Sequence, residues 1–484
     1  MPADLQIRIA PDNLQSVRIA RLTQHQARRV QDSLAMAAFD GEIGWFIQAQ
    51  VVGGEYDGFA HALRWQNPTI LGRLKLVKKP RERFRQYERQ ARYSIRSSCF
   101  SCPDESTFLM KIFLIAWSVA AFFWWLIALG LLARGQRRIP ISASPTRATL
   151  TVFKPLPPVS SEPEREVLAK AIESFIAQLK TGDELLIGMD AADAAGWEVK
   201  FQTWRTAWPS AQINVIAQEV PRQCANPKIA WLQVLAPFAK GEVWLWSDTD
   251  VTAPPDFLDT ICAQLAAGDS NAITAPYLIQ QVRHAHEMLD TLFVNVEFLP
   301  GALLLGRMNQ RDFAYGAATA FQAETFHTKG DWQQLGAALA DDHKLGELLQ
   351  PVELSQALVS TIPNLAGWSE AWQHYYRWHK TVRWCRPSSY AALLVLMPAF
   401  GWTLASLFGD CQAFYLTGLI VLLGGEILVA LLACGLVGCR LPAATWPGVL
   451  LWPFFRATTW LLVWLPLPAL WSGRQRAWFA PQQK

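Results

Sequence analysis

Two carboxylates one residue apart, at the end of an apolar run, are the feature of this chain most suggestive of chemistry. The run is Val243-Trp244-Leu245-Trp246-Ser247-Asp248-Thr249-Asp250-Val251. Alternate residues of an extended strand point to the same side, so Asp248 and Asp250 can lean toward one ligand. Ligands of α/β domains collect just beyond the carboxyl ends of the sheet strands. Paired hard oxygen donors there attract Mg²⁺ or Mn²⁺, which in turn binds phosphate oxygens. That is the chemistry needed to hold a nucleotide diphosphate. Taken by itself, the pair also reads as an acidic turn after a strand.

The elements around it alternate short apolar runs with amphipathic stretches from 148 to 387. Strands are expected over 148–153, which leads into Lys154-Pro155-Leu156, and over 185–189, 212–217 and 243–247. Helices are expected over 164–180, 226–239 and 256–267. The first of these places Leu168, Ile172, Phe175 and Leu179 on one face and has Gly182 as its stop. This order predicts an α/β domain with a mainly parallel sheet and helices on both faces. Asp190 and Asp248 then both lie at strand C-termini, where such a sheet places its ligand.

With 484 residues the chain has room for more than one domain. Its 51% hydrophobic content, 23 tryptophans and positive mean hydropathy suit a soluble part joined to membrane segments. A net charge of +4 spread over that length gives no case for nucleic acid. Among eight cysteines only Cys99 and Cys102 form a CxxC, which is weak evidence for zinc without a second pair. The thiols read as reduced, which suits a cytoplasmic catalytic domain.

Within 110–134, residues 112–133 carry no charge, enough for a helix across the roughly 30 Å hydrocarbon layer. Arg134, Arg137 and Arg138 follow and should stay cytoplasmic. The C-terminal region 388–472 offers 390–408, 413–437 and the broken stretch 446–470. Basic residues before it (Arg377, Lys380, Arg383, Arg386) and after it (Arg474, Arg476) predict an even number of crossings. Two full crossings and a re-entrant or interfacial piece would satisfy this. Arg456 argues against a plain lipid-facing span for the last piece, and Glu426 reads as a helix–helix hydrogen-bond partner. Residues 1–109 fit poorly, because 75–96 carries nine Lys or Arg on the side expected to face outward. Met110 is the expected start of a signal-anchor protein, with 1–109 upstream sequence or a loosely ordered extension. A basic domain of unknown role is the alternative.

Six elements in order resemble a family 2 glycosyltransferase of the GT-A fold, in the ceramide glucosyltransferase-like branch that includes bacterial hopanoid-lipid glycosyltransferases. They are Lys154-Pro155-Leu156, Asp190, Asn226-Pro227-Lys228-Ile229, Asp248-Thr249-Asp250, Ala340-Asp341-Asp342 and His374-Tyr375-Tyr376-Arg377-Trp378. The last resembles the family's (R/Q)xxRW, with His374 in place of Arg or Gln. Lys380-Thr381-Val382-Arg383-Trp384 is a competing register. The resemblance covers about 110–470.

The resemblance implies roles. Asp190 would accept from the uracil ring, Lys228 would place positive charge near the diphosphate, and Asp248 and Asp250 would hold Mg²⁺ or Mn²⁺. Asp342 would be the general base, ahead of its neighbour Asp341. Arg377 would face the diphosphate together with His374, and Trp378 would line the acceptor side. The structural alternatives are a helix cap for Asp190, an exposed lysine, an acidic helix start, and an interfacial aromatic belt formed by Trp372, Tyr375, Tyr376 and Trp378. His284 and His286 read as solvent-exposed loop residues. The resemblance thus implies an inverting enzyme, integral to a bacterial inner membrane with its catalytic domain cytoplasmic. It would move a sugar, glucose first, from a UDP-sugar donor to a lipid hydroxyl, ceramide first. N-acetylglucosamine transfer to a hopanoid or other lipid, a processive polysaccharide synthase and an inactive scaffold are the rival readings.

Overall fold

The computed structural model describes residues 105–135 and 147–467, apart from 160, 222, 223 and 410, together with four short strands nearer the N-terminus. The chain divides into two compact units at Asp104/Glu105. In the first unit, Asp4–Ile7 pairs antiparallel with Val17–Ala20, and Ile47–Val51 with Gly54–Gly58. The basic stretch 75–96, Cys99, Cys102, Arg137, Arg138, Arg474 and Arg476 lie outside the described residues. The six described cysteines are free thiols.

The second unit begins with helix α1 (Glu105–Gly135). Strands β1 (Leu150–Pro155), β2 (Glu184–Asp190), β3 (Gln212–Gln218) and β4 (Val243–Ser247) follow, alternating with α2 (Glu162–Ile176), α3 (Ala194–Ala207) and α4 (Pro227–Leu235). Each of these strands starts within two residues of its expected position. Helix α2 stops at Ile176, short of the expected end, because the last amides tighten into Gln178 N→Phe175 O and Leu179 N→Ile176 O bonds. Gly182, with φ 94°, serves the turn into β2 instead.

Further on come β5 (Val251–Thr252), α5 (Phe257–Ala267), β6 (Ala272–Thr274), β7 (Tyr277–Ile279), β8 (Ala318–Gln322), β9 (Val352–Leu354) and β10 (Val359–Thr361). Seven strands form one sheet in the order β9-β6-β8-β4-β1-β2-β3, and β7-β10-β5 form a small second one. The large sheet is mixed: β8 runs antiparallel to both β6 and β4, which the strand–helix alternation did not predict. Strand β1 is parallel to both its neighbours.

Period-two alternation sends side chains to two cores. Val152, Leu185, Ile187 and Leu245 pack under α2, α3 and α5. Phe153, Leu186, Trp244 and Trp246 pack on the opposite face with α4, Phe326 and Leu335. Both faces are covered, which is why these strands are apolar throughout.

Three helical segments among the described residues are long and apolar enough to cross a membrane: Phe108–Arg134, Ala285–Arg307 and Gln412–Leu436. The first and third expose large apolar side chains, such as Phe113 at 62% and Ile420 at 70%. The middle segment, α6 (Ala285–Arg307), was not anticipated. It is enclosed by protein, packed among α1, α10 (Gln412–Leu436) and α11 (Trp446–Leu462).

The expected crossing at 390–408 is not one straight helix but a broken span or a re-entrant loop. It is two helical pieces bent by 65°, Pro387–Leu396 and α9 (Pro398–Phe408). Pro398 lacks an amide hydrogen and keeps the residue before it out of the helical region, so Met397 has φ −118° and ψ 56°. Small residues let the helices approach closely: a Cβ on Gly401 would meet Trp117 at 2.2 Å, and one on Gly418 would meet Trp402 at 2.1 Å. In α11, Arg456 is buried and ion-paired with Glu297 of α6, and its Nη1 lies 3.7 Å from Glu426 of α10.

Candidate active site

Strand β4 ends at Ser247, so Asp248 emerges at the carboxyl edge of the large sheet. Lys154, at the end of β1, is fully buried beneath this turn. Its Nζ donates to Ser247 Oγ (2.9 Å), the Asp248 carbonyl (2.7 Å) and the Val251 carbonyl (3.4 Å), and it sits 3.8 Å from the Phe175 ring centre. Burial pushes this amine down to about 7, against the pull of Asp250 and Asp248. Lys154 therefore ties down the backbone that carries both acids. The sequence flagged it as part of a motif without a role.

Asn226 caps α4 by accepting from the Lys228 and Ile229 amides. The cap aims Lys228 back across the strand ends. Its Nζ lies 2.6 Å from Asp248 Oδ1 and 3.6 Å from Asp341 Oδ2, and donates to the Gly316 carbonyl at 3.3 Å. Burial works against this charge, but Asp248 and Asp341 outweigh it and hold the lysine above its ordinary value. Asp341 also accepts from Asn226 Nδ2 at 3.0 Å, so it ties α7 (Asp341–Leu349) to the α4 cap.

Asp342 turns the other way. Its Oδ2 accepts from Gly316 N (3.0 Å) and its Oδ1 from His343 N (2.8 Å). Desolvation in the cleft, with Asp341 next in importance, pushes the Asp342 carboxyl up to about 6, despite Lys228. Gly316 lies where three groups converge. A Cβ placed on it would come within 3.2 Å of Asp248 Oδ2, 3.2 Å of Lys228 Nζ and 3.5 Å of Asp342 Oδ2. No sequence pattern singled out Gly316. Gly316→Ala should therefore leave the melting temperature within a few degrees of wild type and lower turnover at least about tenfold, because a methyl group fills the gap between the acids. Parallel melting curves and activity assays check this.

Asp250 lies beside this centre, with Oδ2 accepting from Thr361 Oγ1 of β10 at 2.5 Å. Desolvation pushes the Asp248 carboxyl above its ordinary value, with Asp250 adding to the effect and Lys228 opposing it. Two acidic oxygen donors crowded at one strand end suit a hard divalent cation, with the remaining positions left to phosphate or water. No group of three His, Cys, Asp or Glu among the described residues forms a ready metal cage. Asp190 ends β2, on the far side of β1 from β4, roughly 10 Å away at normal strand spacing. Its carboxylate accepts from Ala192 N at 3.0 Å, capping a short turn of helix.

The last motif lies on α8 (Trp368–Cys385). Trp378 packs 6.2 Å from the Tyr277 ring and 5.6 Å from the Phe293 ring, and His374 lies against Trp378 at 4.7 Å. Tyr277 is within electrostatic reach of Asp342, Asp248 and Asp290. Tyr277 thus stands between the acidic centre and the motif. In the competing register, Arg383 donates to the Val463 carbonyl at 3.1 Å and stacks on Trp464, toward α11. His284 is exposed, whereas His286 is half-buried and bonds the Leu365 carbonyl at 2.8 Å.

A family model described as glycosyl transferase family 21 matches residues 108–478. The chain belongs to glycosyl transferase family 21. The match takes in both the α/β domain and the flanking apolar helices, and it replaces the family 2 number drawn from sequence while keeping a glycosyltransferase of GT-A type. Members of family 21 are glycosyltransferases, and the intact acids here fit that activity. Solved structures similar to this chain include three described in turn. A mannosyltransferase, PcManGT, from Pyrobaculum calidifontis, solved with GDP-Man and Mn²⁺, is 16% identical and has a TM-score of 0.44; the match covers 73% of this chain and 99% of that one. GalNAc-T7, with UDP, GalNAc and Mn²⁺, is 12% identical over 56% of this chain and 54% of that one, with a TM-score of 0.34. A mycobacterial protein is 17% identical over 49% and 74%, with a TM-score of 0.29. No curated protein matches the chain.

Proposed function

We propose that this family 21 enzyme transfers a sugar from a UDP-sugar to the hydroxyl of a membrane lipid, with glucose and ceramide as the leading pair. The supporting observation is the convergence of Asp248, Lys228 and Asp342 on Gly316, in a unit that also carries exposed apolar helices. Asp190 would accept from the uracil N–H at one end of the sheet edge. Lys228 would meet the diphosphate at the other, exchanging part of its pairing with Asp248 for phosphate oxygens.

Asp248 and Asp250 would hold Mg²⁺ or Mn²⁺, which when bound neutralises charge developing on the leaving diphosphate. Asp342 takes the proton of the acceptor hydroxyl while that oxygen attacks the anomeric carbon. The bond from that carbon to the phosphate oxygen breaks, and UDP leaves with the electron pair. One base and one displacement invert the anomeric centre. His374 and Arg377 would face the diphosphate, and Trp378 with Tyr277 would line the acceptor side. The α/β domain would face the cytoplasm, where nucleotide sugars are made, with the acceptor presented at the inner-membrane surface.

Because Asp342 must be ionised to act, transfer should rise about tenfold per pH unit below about 6 and level off above 7. Initial rates from pH 5 to 8 on intact membranes check this. The activity itself is tested by incubating membranes with Mn²⁺ and labelled UDP-glucose or UDP-N-acetylglucosamine, with ceramide or a hopanoid added. A labelled glucosyl lipid formed only with ceramide supports the reading. Label on the hopanoid alone changes the acceptor, and lipid binding without UDP release would identify a scaffold.

A further inference from the structure

The helix α6 carries a carboxylate that no motif accounts for. Asp290 is 3% exposed, and its Oδ2 lies 2.5 Å from His374 Nδ1. Its other oxygen is also buried and has no hydrogen-bond partner among the described residues. A buried acid with half its acceptors unused is costly unless it serves a neighbouring group.

Two basic side chains of α8 respond to it. His374 is the one in contact. Arg377 is one helical turn further along, on the same side of α8. Burial lowers the Arg377 value, and Asp290 is the charge that opposes this. A carboxylate only accepts, so the hydrogen of His374 must be on Nδ1, and Nε2 is left to face away from Asp290. The imidazole is still 26% exposed, so its outer edge can reach a ligand. Its ring is further confined by Trp378. Asp290 is itself held in place: Asn295, on the π-helical stretch Phe293–Phe298 of α6, bonds both the amide (3.0 Å) and the carbonyl (2.8 Å) of Ile279 in β7. Strand β7 also carries Tyr277.

We propose that Asp290 is a positioning residue that fixes the direction of the His374 ring and steadies Arg377, so that α8 presents both to the leaving diphosphate. This rests on reading the cleft as a nucleotide-sugar site. An arginine or glutamine at the first position of the motif can reach a phosphate whichever way it rotates, whereas an imidazole with Nδ1–H on Asp290 donates to phosphate only as the imidazolium, through Nε2–H and in one orientation. Asp290 supplies that orientation in this chain.

The test uses the full-length protein in detergent, with Asp290→Asn, His374→Ala, the double variant and His374→Arg. UDP affinity in the presence of Mn²⁺ is measured by calorimetry, and the ligand-free melting temperature alongside it. Asp290→Asn and His374→Ala should each weaken UDP binding about tenfold, with the double variant no weaker than either single, since both remove one interaction. His374→Arg should bind UDP within about threefold of wild type, because an arginine can still pair with Asp290. Multiplying effects in the double variant, or wild-type affinity in Asp290→Asn, would overturn the positioning role. So would losses that merely follow the melting temperature. If the unsubstituted chain bound no UDP, the donor-site reading would fall, and this inference with it.

Discussion

Replacing Asp342 with asparagine should cut sugar transfer by about 10²- to 10⁴-fold while leaving UDP affinity within a few-fold of wild type. The asparagine keeps one oxygen, enough to accept from either the Gly316 or the His343 amide, so one of the two contacts that place this side chain survives. What is lost is the ability to take a proton. Asp341 cannot substitute, because Asn226 and Lys228 occupy its two oxygens in tying α7 to the α4 cap. The same change at Asp341 should therefore act mainly on stability and on the placement of Lys228. Transfer rates and UDP calorimetry on both variants separate the two acids. Near-normal turnover in Asp342→Asn would falsify the assignment of the base.

Arg456→Met should destabilise the protein by about 3–5 kcal/mol, the usual cost of removing one partner from a buried ion pair. Arg456 faces Glu297 and Glu426, all three are buried, and methionine leaves the two carboxylates without a counter-charge. Adding Glu297→Gln and Glu426→Gln to Arg456→Met should recover most of that loss, because the uncompensated charge is then gone. Denaturation of the detergent-solubilised variants by heat and by urea measures both. A single variant as stable as wild type would mean that the two glutamates carry no net cost there.

The first half of the α/β domain was legible because β1, β2 and β4 are buried on both faces and bounded by turn residues, while the more exposed edge strand β3 keeps an apolar–polar alternation. Val243–Ser247 matched its expected limits, and Asp190 and Asp248 fell at strand ends as the alternation required. Strand β8 was missed because Ala318–Gln322 is short and its direction depends on pairing across the sheet with β4, which no local pattern encodes. The 390–408 stretch passed a hydropathy criterion, yet Pro398 marked the break, and local backbone sterics decided it. The α6 helix was hidden for the opposite reason. Its apolar length resembles a lipid-facing segment, but tertiary packing covers it. In the active site, residue types with obvious chemistry could be read from sequence. The parts that hold them, Lys154 under the turn and Gly316 between the acids, depend on contacts between distant segments and could not.

The enclosed helix Ala285–Arg307 also bears on how this enzyme could be dissected. It contributes Asn295 to the anchoring of β7 and Glu297 to the pairing with α11, so it belongs to both halves at once. Cutting the chain after α1, or shedding the α/β part by proteolysis, would leave α6 gripped by α10 and α11. A water-soluble fragment made by recombinant truncation would carry a raw oily flank where those helices had been. The catalytic cleft and the apolar helices therefore come as one piece, and sugar transfer should be assayed on the whole chain in detergent or vesicles rather than on an excised α/β part.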